Sequence, residues 1–199
     1  IPDSVTTIGK GAFYDCHGLT GALTIPDLVT TIGDEAFSTC MRLTTITIGN
    51  SVKTIGVEAF YLCNSLTSVT IGNSVTSIGN SAFMGCSSLI SVIIPDLVTS
   101  IGNLAFVGCS SLTSVTIGNS VETIGNGAFN ATELTSVEIP DSVTTIGDNA
   151  FSSTGLTSVT IPDSVTTIGN SAFASTPLTL VTIHVSENSD NYPSFVPSF

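Results

Sequence analysis

Five cysteines, Cys16, Cys40, Cys63, Cys86 and Cys109, have the most varied chemistry open to them of any residues in this chain. Thiolates bind zinc, cycle between redox states or pair as disulfides. Their spacings of 24, 23, 23 and 23 residues are unlike the Cys-x-x-Cys pairs of zinc and redox sites. An odd number in single file cannot all pair, so all five are expected to be free, buried packing residues. A second file carries oxygen: Asp3, Asp27, Asn50, Asn73, Asp96, Asn119, Asp141 and Asp163. Such stacked carboxylates and carbonyls are hard ligands of the kind calcium takes. Asp and Asn serve equally well in Asx turns, and without a glycine-rich calcium nonapeptide the turn is the expected role. His17 and His184 stand near opposite ends of the chain, and no Ser/His/Asp triad, H-E-x-x-H or P-loop accompanies them. "GNGAF" at 125–129 reads as a corner rather than a phosphate loop. The expectation is a chain that is not an enzyme and has no metal and no cofactor.

Those files exist because the whole chain is periodic. Phe13, Phe37, Phe60, Phe83, Phe106, Phe129, Phe151 and Phe173 follow one another at 22 to 24 residues. Ala precedes each Phe, Ile-Gly lies five and four residues before it, and Val lies three residues before each Ile. After the Phe comes Leu and then a β-type segment such as "LTSVTI" (66–71, 112–117, 156–161). Val and Ile two apart share one face of a strand, and β-branched residues favour that conformation. Gly after Ile is expected to supply backbone freedom at a corner, and "GNSAF" or "GDNAF" a helical or 3₁₀ turn. Ala beside Phe suggests a tight inside bend with the rings stacked as a spine. No single copy buries enough apolar surface to offset its backbone entropy, so the copies must stack. The predicted fold is a mainly β repeat solenoid, with one parallel strand per repeat and short helical or 3₁₀ turns on the other side. Its eight repeats run 1–24, 25–47, 48–70, 71–93, 94–116, 117–138, 139–160 and 161–182, followed by a partial C-terminal cap or tail at 183–199.

Composition narrows the function. Three basic residues, Lys10, Arg42 and Lys53, face fifteen acidic ones, for a net charge of −12. Nucleic acids and anionic membrane surfaces recruit Lys and Arg, so neither is an expected partner. The longest apolar run, "LISVII" at 89–94, falls far short of the roughly 20 residues of a spanning helix. The chain opens in phase with the repeat and without an initiator Met, which reads as a mature product or an excised piece.

The string Ile-Pro-x-Ser-Val-Thr-x-Ile-Gly-x-x-Ala-Phe-x-x-Cys-x-x-Leu-x-x-Val-x-Ile closely resembles the BspA-type leucine-rich repeat, and "IPDLVTSIGNLAFVGCSSLTSVTI" (94–117) is nearly a consensus copy. The resemblance covers residues 1–183. It implies a curved leucine-rich-repeat solenoid with parallel strands lining one face. It also implies a secreted or cell-surface protein engaged in adhesion to host proteins and other cells. The chain departs from the pattern where Cys becomes Thr132, Thr154 and Thr176 in three shortened copies, where Pro becomes Gly49, Gly72 and Gly118, and after residue 183. Curvature is expected to change after residue 130.

The outward strand positions form two files of hydroxyls. One reads Thr24, Thr47, Thr70, Ile93, Thr116, Glu138, Thr160 and Thr182; the other Thr45, Ser68, Ser91, Ser114, Ser136, Ser158 and Leu180. Thr is a good strand former in any soluble sheet, but such files also make a regular surface for a partner. Ile93 and Leu180 are candidate apolar anchors within it. The one sequon, Asn130-Ala131-Thr132, places Thr132 in the inward Cys file and is expected to stay unglycosylated. The function expected is a non-catalytic extracellular binding module presenting this Thr/Ser face to a protein or glycan. A self-associating filament subunit stacking end to end is the alternative, since unpaired coil ends are templates for pairing. Ice binding by the hydroxyl lattice is a distant third, because Ile93, Glu138 and Leu180 interrupt the files.

Overall fold

Each Val-x-x-Ile-Gly stretch contains a two-residue strand, from Thr7–Ile8 in the first coil to Thr167–Ile168 in the last, in a computed structural model that describes residues 1–184. These eight strands form one parallel sheet in chain order. Like pairs with like: Thr54 lies against Ser77 and Ile55 against Ile78, and Ile146 against Ile168. A second series comes from the "LTSVTI" segments. Gly21–Ile25, Leu43–Ile48, Ser68–Thr70, Ser91–Ile93 and Ser114–Thr116 form a five-stranded parallel sheet, and Ser158–Ile161 pairs with Leu180–Ile183. Every coil returns to the same place in the same direction, so the pairing is parallel throughout. The fold is the expected leucine-rich-repeat solenoid, but most coils carry two strands rather than one.

The turns also differ in kind from the expected helical or 3₁₀ turn, and no helix occurs among the described residues. Around Phe60, the amides of Ala59, Tyr61 and Cys63 donate back three residues to Gly56, Glu58 and Phe60. The alternate amides of Glu58, Phe60 and Leu62 donate instead to Asn80, Ala82 and Met84 of the following coil, at 2.8–2.9 Å. Half the N–H groups therefore leave the coil, which a helix forbids. The geometry is reached by residues in the left-handed region two places before and two after each Phe, such as Glu58 (φ 55°) and Leu62 (φ 54°). A non-glycine residue there costs about 1–2 kcal/mol, which the inter-coil hydrogen bonds offset.

The Ile-Gly glycines do not supply corner freedom as expected; none of them has a positive φ. They are needed because neighbouring backbones nearly touch. A Cβ on Gly79 would lie 2.6 Å from the carbonyl carbon and oxygen of Gly56.

The core is a set of like-on-like columns. The Phe rings stack with centroids 5.0–5.4 Å apart and planes within 12° of parallel. From Phe37 to Phe151 these rings are wholly buried, as are the Ala, Val and Leu beside them. Stacked pairs at this separation add about 0.5–1.5 kcal/mol each to the burial of their area.

Polar side chains tie the coils together at the surface. Three of the corner side chains expected in Asx turns, Asp27, Asn50 and Asp96, instead accept from the backbone of the next coil. Asn50 N donates to Asp27 Oδ1 at 2.7 Å, and Asn119 N to Asp96 Oδ1 at 3.0 Å. A parallel ladder, unforeseen from the sequence, runs through Asn80, Asn103, Asn126, Asp148 and Asn170, with amide-to-oxygen distances of 2.6–2.9 Å.

Candidate functional site: the outer strand wall

Alternation along "LTSVTI" sets the wall. Leu, Val and Ile turn inward and are buried, as at Leu112, Val115 and Ile117. The residues between them face out. Thr47, Ser68, Thr70, Ser91, Ile93, Ser114, Thr116, Ser136, Glu138, Ser158, Thr160, Leu180 and Thr182 are all exposed, and Thr45 is half-buried. Strand pairing brings them into register, Ser68 beside Thr45, Thr70 beside Thr47 and Ser114 beside Ser91.

Hydroxyls on this side are used in two ways. Three of those at the second position of the segment are committed to the stack: Thr67 Oγ1 donates to Thr44 O at 3.0 Å, Thr113 to Ile90 O at 3.3 Å and Thr179 to Thr157 O at 3.2 Å. Those in the two outer files make no side-chain hydrogen bond among the described residues. The wall thus carries rows of unspent donors and acceptors at the coil spacing.

Two features break the pattern. In the fourth coil Ile90 and Ile93 replace hydroxyl residues together and are 54% and 67% exposed, a small apolar patch amid the hydroxyls. Ile90 was not among the residues picked from the sequence, although its place in the "LTSVTI" frame is visible there. In the sixth coil the wall opens. Residues 134–139 form no strand, and among the described residues no backbone hydrogen bond is donated or accepted by 132–139. Ser136 and Glu138 therefore stand outside the ladder in which they were expected. This is the first of the shortened coils, one residue having gone between Thr132 and Leu134. Glu138 borders two clefts of about 520 and 470 Å³ at the corners that follow the strands, and a similar one of about 420 Å³ lies along the fully paired early coils.

The cysteines lie behind the wall in the core. All five are free; Cys40, Cys63, Cys86 and Cys109 are buried, while Cys16 is only half-buried. Cys63 Sγ donates to Phe37 O of the preceding coil at 3.3 Å, and Cys86 to Phe60 O at 3.2 Å. Burial pushes the thiol of Cys40 up to about 11 and those of Cys63 and Cys109 to about 12. Thr132, in the same file, is buried and bonds its own coil's Phe129 O at 2.9 Å.

Other titratable groups are scattered. His17 pairs with Asp15 at 3.1 Å in the exposed first turn, and His184 borders the cleft beyond Glu138. Lys10 pairs with Glu35 at 3.1 Å, and that hydrogen bond raises its pKa. Among the described residues no three His, Cys, Asp or Glu side chains converge, and no helix is long and apolar enough to cross a membrane.

Stacked phenylalanines, a parallel strand wall and a repeat of 22 to 24 residues define a leucine-rich-repeat solenoid. The chain belongs to the BspA-type leucine-rich-repeat family, whose model, "BspA type Leucine rich repeat region", matches residues 1–96 and 76–195. It is similar to a leucine rich cell surface protein of Faecalibacterium prausnitzii, with 36% identity over 92% of this chain and 46% of that one, and a TM-score of 0.69. It also resembles a leucine-rich repeat protein of Bacteroides ovatus, with 30% identity over 90% and 64% of the two chains and a TM-score of 0.68. The T. pallidum leucine rich repeat protein matches at 30% identity over 74% and 72%, with a TM-score of 0.66. The chain spans less than half of the F. prausnitzii protein's length. No curated protein matches it.

Proposed function

We propose that this chain is a non-catalytic binding module that works at a cell surface or outside the cell, with the outer strand wall as its contact face. The observation that carries the reading is the division of labour among the hydroxyls. Second-position Thr67, Thr113 and Thr179 are spent on the stack, whereas the two outer files, from Thr47 and Ser68 to Thr160, are exposed and unspent. A regular lattice of donors and acceptors with little charge suits the hydroxyls and amides of a glycan or the polar surface of a protein. The surface setting rests on the kinship with a leucine rich cell surface protein. Contacts of this kind are individually weak, and affinity accumulates over many coils, so no single wall residue dominates. The test is capture of the full chain on immobilised extracellular-matrix proteins and cell-surface glycans. Retention on at least one component is expected, and uniform failure across the panel contradicts the reading.

A further inference from the structure

The opening at the sixth coil is more than an irregularity in the wall. The strand Ser114–Thr116 pairs only with the fourth coil, and Ser158–Ile161 only with the eighth. Between these two one-sided edges run residues 134–139, whose N–H and C=O groups find no backbone partner among the described residues. Unpaired backbone at a strand edge is a template for another strand, and recognition by strand addition uses it for affinity while alternate side chains give specificity. The side chains set that specificity here. Ser136 and Glu138 face out; Val137 and Ile139 face in, and Val137 is less buried than its counterparts Val92 and Val159. An incoming strand would lay alternate residues beside the half-buried Val137 and beside Glu138.

Charge decides what those residues are. Glu138 is the one acid in the two outer files, and no Lys or Arg borders either cleft. Asp96 and Asp141 are the other carboxylates there. The chain's own cations are in the first three coils, with Lys10 already held by Glu35. Residues 185–199 contain Glu187 and Asp190 and no Lys or Arg, so they do not complement this charge. We infer that the gap at the sixth coil receives an extended segment of a partner polypeptide, added as a strand, with apolar residues turned inward beside Val137 and lysine or arginine turned outward beside Glu138. The inference rests on the reading of the wall as a contact face, but it adds a discrete peptide site within it.

The probe is an acetylated heptapeptide alternating valine and lysine, paired with a twin in which glutamate replaces lysine. Binding to the full chain is followed by fluorescence anisotropy, and the amides of residues 135–138 by hydrogen exchange. The lysine peptide is expected to bind and the glutamate twin not. Glu138→Thr, which restores the residue found in most other coils, is expected to weaken binding about tenfold without lowering the melting temperature. The amides should exchange quickly in the free chain and become protected with peptide bound. Equal binding of the twins, indifference to Glu138→Thr, or protection already present in the free chain each overturns the inference. Retention on the matrix and glycan panel is read separately, so failure of the peptide site and failure of the contact face give different results.

Discussion

The thiol of Cys63 reaches back one coil to the Phe37 carbonyl at 3.3 Å, whereas the hydroxyl of Thr132 bonds the Phe129 carbonyl of its own coil at 2.9 Å. Both are small side chains satisfying the same kind of buried oxygen, which explains why the file tolerates the exchange. Burial holds the core thiols in their neutral form, and the thiolate is the reactive species. In the native chain at mild alkaline pH, a maleimide or disulfide reagent is therefore expected to modify Cys16 first. Cys40, Cys63, Cys86 and Cys109 should react only on unfolding, as peptide mapping by mass spectrometry can show. The same shifts make stability depend on pH. Free thiols titrate near about 8.5; in the fold Cys40 is pushed up to about 11 and Cys63 and Cys109 to about 12. A neutral acid whose pKa is raised by folding contributes stability that is complete below the unfolded value. That contribution is lost as pH climbs through the folded value. Melting temperature should hold steady to about pH 8 and fall toward about pH 11, and Cys63→Ala should shrink that fall. The file and its burial were legible from spacing alone. The half-buried state of Cys16 was not, because its motif is the same as that of the buried thiols.

At the scale of the element, columns of identical residues were readable and the reasons for some of them were not. Ile, Val, Leu and Phe recur at a fixed period, and any stack of such coils must bury them together. Glycine after each Ile was read as a torsional device because glycine's common use is a positive φ, yet the actual cause is contact between backbones, which no single repeat displays. Gly79→Ala sets that apart from torsion. Its Cβ would sit 2.6 Å from Gly56 backbone atoms, so a loss of about 2 kcal/mol or more is expected in denaturant unfolding. Gly18→Ala, with no atom within 4 Å of its Cβ, should change stability by no more than about 0.5 kcal/mol. Equal effects would mean that the close approach is not what selects glycine. The turn was misread for a related reason. "GNSAF" has the composition of a helical cap, but alternate amides such as Phe60 N bond the next coil, and that competition is invisible until the neighbour is in place. The second strand of each coil was missed because Thr-Ile is too short to register as a strand by pattern.

For the whole molecule, near-identical coils convert a local sequence into a long surface with its own repeat. The strand wall was legible as a pair of files, and all but one of its named residues are exposed. Its break at the sixth coil was foreshadowed only by a missing residue after Thr132 and by the switch from Cys to Thr. A one-residue deletion changes how one coil meets the next, and the consequence belongs to the assembled stack. The outer strand wall, if it is the contact face, differs in function from every other face of the solenoid, and a second exposed face provides the control. Two quadruple variants suffice: Thr47→Lys, Thr70→Lys, Thr116→Lys and Thr160→Lys on the wall, against Thr30→Lys, Thr76→Lys, Thr99→Lys and Thr166→Lys, exposed positions just ahead of the two-residue strands. Both sets are measured for melting temperature and for retention on whichever matrix or glycan component captures the native chain. The wall set should lose retention while melting like the native chain, and the other set should keep it; a wall set that binds undiminished would contradict the account.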